Sequence, residues 1–139
     1  FLEDIAIADI AFEATGKTLK ELFESAALAV SNTQVRNLDK IERKKKKEIK
    51  VQADNVEMLL FNFLQEIIFY KDAEQLVFNK FDIDITSANN KWKLLAKAYG
   101  EKLDMKKHEL VVDVKAVTLH NYELKETKNG WKARVILDV

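Results

Sequence analysis

Val56, Leu59, Leu60, Phe63, Leu64, Ile67 and Ile68 recur at the three- and four-residue spacing of an α-helix. A stripe this apolar has to be buried along its whole length. The spacing therefore predicts a central packing helix through about Tyr70, with Asp54 placed to cap its start. A second stripe, made of Leu19, Leu22, Phe23, Ala26, Ala27 and Val30, follows Thr18 and Glu21, whose separation is that of a capping box. Two helices are thus predicted, and each needs a broad apolar surface to cover.

Strands supply that surface. Ile10, Phe12 and Ala14 alternate with Asp9, Ala11 and Glu13, which predicts a half-buried strand over 8–14 with Asp9 on the face away from the core. Ile49, Val51 and Ala53 alternate with Lys50 and Gln52 in a second strand over 46–53. Beyond the central helix, strands are predicted over 76–86, over 91–99 after an Asn89-Asn90 turn, over 111–126, and over 131–139 after Asn129-Gly130. Asn-Gly suits the positive φ angles of a type I′ turn, so the last two strands are expected to pair. Trp131, Ala133, Val135, Leu137 and Val139 share one face of the final strand, leaving Lys132, Arg134, Ile136 and Asp138 on the other. The result is an α+β fold, two amphipathic helices on mostly antiparallel sheet. No repeat or linker interrupts it, so residues 1–139 read as a single domain.

Composition removes several functions. Hydrophobic residues make up 47% of the chain, which separates it from disordered sequences, and the apolar runs at 26–30 and 58–64 are too short to span a bilayer. With no cysteine and no signal-peptide pattern, a soluble, cytoplasmic protein is expected. Net charge is zero, so any RNA contact has to be local. The run Arg43 to Lys47 is the obvious place for one, although a solvated turn leading into a strand explains it more simply. The three glycines form no phosphate loop and the serines lie in no nucleophile elbow.

His108 and His120 are the only histidines, too few for a zinc site without Cys ligands. His120 shares a strand face with Ala116 and Thr118, opposite Lys115, and reads as a partly buried structural residue. Carboxylates remain. Asp9 and Asp138 lie on the non-core faces of the two terminal strands and would converge if those strands were neighbours. Joined by a carbonyl or the terminal carboxylate at Val139, they would suit a hard, oxygen-seeking cation such as calcium or magnesium.

Read in order, the segments resemble the archease family from end to end. The resemblance is carried by Ala8-Asp9-Ile10, then Gly16-Lys17-Thr18-Leu19-Lys20-Glu21-Leu22-Phe23-Glu24-Ser25-Ala26-Ala27-Leu28-Ala29. It continues through Asp72-Ala73-Glu74-Gln75-Leu76-Val77-Phe78, Ala98-Tyr99-Gly100-Glu101, Lys115-Ala116-Val117-Thr118-Leu119-His120 and Val135-Ile136-Leu137-Asp138-Val139. It implies a small two-layer α+β accessory protein, not itself an enzyme, that assists the RtcB-type tRNA-splicing RNA ligase. Such a protein promotes guanylylation of the ligase and its multiple turnover in joining RNA 3′-phosphate and 5′-hydroxyl ends. The family's calcium site carries over to Asp9, Asp138 and a main-chain or terminal oxygen of Val139, and Lys115, Thr118 and His120 are expected at the partner contact. One departure stands out: Ala6-Ile7 occupies the place of the His-Thr that commonly precedes the family's Ala-Asp pair. Two other readings compete, a metal-dependent phosphoesterase built on the two aspartates, and a general chaperone or RNA-binding module built on the basic run.

Overall fold

A computed structural model describes residues 9–139. The elements run β1 (Asp9–Gly16), α1 (Leu19–Gln34), a 3-10 turn (Leu38–Lys40), β2 (Lys45–Ala53), α2 (Val56–Glu74), β3 (Leu76–Ala88), β4 (Lys91–Lys102), β5 (Ala116–Thr127) and β6 (Gly130–Asp138). The strands form two three-stranded antiparallel sheets, ordered β1-β6-β5 and β2-β4-β3. Each helix touches both sheets, and one apolar cluster joins all of them. Phe23 stacks on Phe63 at 6.2 Å, and Phe63 meets Phe81 edge-on at 6.0 Å, so aromatic contacts run from α1 through α2 to β3. The predicted stripe on α2 supplies Leu59, Leu60, Phe63, Leu64, Ile67 and Ile68 to this core. No helix among the described residues is long and apolar enough to cross a membrane.

Local signals behave as their chemistry requires, with shifts of a residue or two. The Thr18 hydroxyl accepts from the Glu21 amide at 3.1 Å, while the Glu21 carboxylate reaches the Lys17 amide at 3.0 Å. The cap of α2 is Asn55, whose side chain accepts from the Met58 amide at 2.8 Å. Asp54, expected in that role, lies one residue too early and instead pairs with Lys91 at 2.8 Å. The helix runs a turn past Tyr70 and stops at Gln75, whose left-handed φ of 59° lets its amide bond back to the Tyr70 and Lys71 carbonyls.

The type I′ geometry expected at Asn129-Gly130 is found at the other hairpin. Asn89 and Asn90 both have positive φ, 52° and 61°, the pattern of a type I′ turn. In the last hairpin Thr127 pairs with Gly130, so the loop is Lys128-Asn129 and lies one residue earlier than predicted. The strands on either side pair as expected.

The clearest correction is the predicted strand over 111–126, which begins only at Ala116. Val111 to Lys115 are β-branched enough to suggest a strand, but their backbone is committed elsewhere. The Val111 amide bonds to the Gln34 carbonyl at the end of α1, and the Lys115 amide bonds to the Asp138 carbonyl at 2.8 Å. Val114 is fully buried in the core, and Lys71, itself buried on α2, holds Asp113 and Asp72. Burial works against the Lys71 charge, yet these two carboxylates keep its ammonium above the usual lysine range.

Candidate metal centre and contact face

The β1–β6 ladder opposes Asp9 to Asp138, then Ala11 to Ile136 and Glu13 to Arg134. On the other side of β6, Ala116 opposes Asp138 and Thr118 opposes Ile136. Residues two apart share a face. Asp9, Asp138, Ala11, Ile136, Ala116 and Thr118 therefore form one patch on the outer face of this sheet, while Ala133, Val135 and Leu137 point into the core. The condition set from sequence, that the two terminal strands be neighbours, is met. Asp9 is exposed and Asp138 half-buried.

Directly opposed side chains in an antiparallel ladder have Cβ atoms about 5 Å apart, and like charges at that spacing destabilise the pair. A cation between them would remove the repulsion, and an all-oxygen donor set of this kind fits a hard ion. Val139 packs its side chain against the core, so only its main-chain oxygens are left to contribute. Among the described residues no group of three or more His, Asp or Glu side chains converges on one point, so the two carboxylates would need main-chain oxygen and water to complete a shell.

The three expected contact residues lie beside this edge in different settings. Lys115 is exposed just before β5 and, with Ile68, Phe69 and Asp72, lines a depression of about 470 Å³. Thr118 faces outward with its hydroxyl oxygen enclosed and unbonded in the described structure. His120 departs from expectation: it is exposed. Between the Thr118–Ile136 and Glu123–Arg134 pairs, four residues of β5 oppose Val135 alone, so Leu119, His120 and Asn121 are pushed out in a bulge, with Asn121 at φ 52°.

A second polar cluster lies apart from this edge and was not foreseen. Glu101, 6% exposed, accepts from the Glu42 amide at 2.8 Å and pairs with Lys107 at 2.8 Å and with His108 Nε2 at 2.9 Å. The Asp104 amide donates to His108 Nδ1 at 2.9 Å, so Nδ1 accepts and Nε2 donates to Glu101. Burial raises the Glu101 pKa, but the Lys107, Glu42 and His108 donors outweigh it and bring the carboxyl from 4.5 down to about 2. Both imidazole nitrogens are engaged and the ring is sealed from solvent, so this pair clamps the loop after β4. The sequence signal for it, Asp104 four residues before His108, is slight.

The basic run is mostly consumed by pairing. Arg43 bonds Asn79, Lys44 bonds Glu42, and Lys47 bonds Glu74 while lying over the Tyr70 ring. The departure at Ala6-Ile7, and Ala8 with it, lies outside the described residues.

Helices that bridge two antiparallel sheets, with paired terminal strands presenting opposed carboxylates, define a small α+β protein with an acidic sheet edge. The chain matches the Archease protein family (MTH1598/TM1083) over residues 1–139 and belongs to that family. It is 41% identical to a protein archease of Pyrococcus abyssi, covering 95% of this chain and 93% of that one. To a protein archease of Methanosarcina barkeri it is 38% identical, with 95% and 90% covered. The solution structure of Methanobacterium thermoautotrophicum protein 1598 superposes with a TM-score of 0.83 at 34% identity, covering 95% of this chain and 93% of that one. The crystal structure of a Thermotoga maritima archease, described as a possible chaperone, shares the fold at a TM-score of 0.61 and 21% identity, with 95% and 91% covered.

Proposed function

We propose that this chain is an accessory factor of an RtcB-type RNA ligase, promoting the ligase's guanylylation and multiple turnover, and that its Asp9–Asp138 edge enters the contact. The observation that carries this reading is the pairing of Asp9 with Asp138 across β1 and β6 in a member of the archease family. Asp9, Asp138 and a main-chain oxygen of Val139 would hold a divalent ion, calcium by preference, whose chemistry is to neutralise and fix the opposed carboxylates. The chain's own residues do the rest. Lys115 offers a cation beside the acidic edge and His120 an exposed imidazole on the protruding bulge, while Thr118 lies between them on the same face with its hydroxyl enclosed. An accessory protein accelerates such a step only by binding the productive state of its partner better than the resting one. Two side-chain carboxylates are a poor basis for a two-metal phosphoesterase, which needs a richer ligand set.

Asp138→Asn is the direct variant, because it keeps shape while removing one charge. Calcium at about a hundred times its dissociation constant should stabilise the native protein by about 2.7 kcal/mol, raising Tm by several degrees. The variant should lose that shift and should lower stimulation of ligase turnover at least about tenfold, which is about 1.4 kcal/mol. A variant that keeps both the calcium shift and full stimulation would remove the edge from the mechanism.

A further inference from the structure

We propose that the outer face of the β2-β4-β3 sheet binds an unpaired polynucleotide strand. Alternation and register put Lys46, Lys50, Lys80, Lys93 and Lys97 on this face, opposite to the core-facing Ile49, Ala96 and Ile83. None of these five lysines forms an ion pair among the described residues, although Lys91 at the hairpin end of the same face, and Lys44, Lys47, Lys71 and Lys107 elsewhere, all do. Three carboxylates, Glu48, Asp82 and Asp84, share the face and lie towards its middle, so the cationic excess is greatest at the end where Lys46 and Lys80 lie.

That end has a specific arrangement. Lys46 on β2 and Lys80 on β3 are the register partners of Tyr99 on the central strand, which sets an aromatic ring between two cations. Tyr99 is half-buried and belongs to neither apolar cluster, so core packing does not explain it. Along β4 the outward positions read Tyr99, Lys97, Leu95 and Lys93, spaced about 7 Å apart. Leu95, 36% exposed, sits over a concavity of about 710 Å³ that is also lined by Lys50, Gln52, Asp84, Thr86 and Lys93.

Cations flanking a half-exposed ring on an open sheet provide phosphate contacts and a stacking platform together, the combination that holds single strands without reading their sequence. A duplex hides its base faces and cannot use the ring. An acidic polypeptide could meet the lysines but gains nothing from stacking. The proposal does not rest on the accessory reading, since the face is on the other sheet from Asp9 and Asp138, and either can fail alone.

The test is fluorescence anisotropy of a labelled, unstructured RNA of about 20 nucleotides with the whole chain at low salt, without any ligase. K46E/K80E should weaken binding at least tenfold and flatten the dependence of log affinity on log salt by about 1.4, from two contacts at about 0.7 each. Tyr99→Ala should weaken binding about five- to tenfold with the salt slope unchanged. Lys125→Glu, on the other sheet, should change nothing. No binding by the wild type, full binding by the lysine double variant, or equal loss with Lys125→Glu would overturn the proposal. Competition by polyglutamate together with normal binding by a folded Tyr99→Ala would also overturn it, in favour of a surface for acidic proteins. Should Tyr99→Ala fail to fold by circular dichroism, the exposed lysine pair decides.

Discussion

Glu101→Ala is expected to lose about 3 kcal/mol of folding stability, measured by urea denaturation near neutral pH. The substitution removes one carboxylate and abandons the His108 Nε2 proton, the Glu42 amide and the Lys107 ammonium together. The imidazole is fully enclosed in the native fold, so its Nε2–H is left without the acceptor it was packed against. The same carboxylate gives a pH dependence of definite sign. Its pKa falls from 4.5 unfolded to about 2 folded, so the unfolded chain takes up the proton first as acid is added. The stabilisation is complete above about pH 4.5 and disappears as the pH falls towards 2. Glu101→Gln preserves an acceptor for His108 and should flatten the acid limb of the stability curve in that window. An unchanged acid limb would show that other carboxylates govern it.

Gly100→Ala is the second large effect. A Cβ at this position would overlap the Val77 carbonyl oxygen and crowd Phe78 Cα at 2.8 Å, and both are backbone atoms that cannot swing aside. The crowding has a cause in the ladder. β3 carries an extra residue between Phe78 and Lys80, so the backbone bends towards Gly100 and frees Asn79 from pairing. The Asn79 amide group then donates to the Leu38 and Ile41 carbonyls at 2.9 and 2.8 Å, which anchors the connection between α1 and β2. An added methyl should therefore cost about 3 kcal/mol or more and loosen the 38–43 segment as well. Thermal denaturation reads the first effect and amide exchange of the Ile41 region the second. A stability loss below 1 kcal/mol would mean that the bulge relaxes freely.

Both helices were legible because their apolar stripes are long and keep a 3.6-residue period that nothing in the fold contradicts. The faces of β1 and β6 were legible for the equivalent reason at period two, and they placed Asp9 and Asp138 outward before their pairing was known. That pairing could only be stated as a condition, because register between strands at opposite ends of a chain leaves no local trace. Val111 to Lys115 misled because β-branched residues suit a strand, while the actual partners of their amides, Gln34 and Asp138, are far away in sequence. His120 misled because the face it shares with Ala116 and Thr118 is the outer face of the sheet, which alternation alone does not reveal; the bulge at left-handed Asn121 accounts instead for the exposure of Leu119. Glu101 and His108 went unpaired in the sequence reading since their contact needs the loop after β4 to fold back through Asp104.

Multiple-turnover ligation tests the central claim most directly. An RtcB-type ligase from the same source would be given RNA ends bearing 3′-phosphate and 5′-hydroxyl groups, GTP and divalent metal, with and without substoichiometric amounts of this chain. Product well beyond one equivalent of ligase only when the chain is present is the result expected of an accessory factor. Equal turnover with and without the folded chain would contradict it.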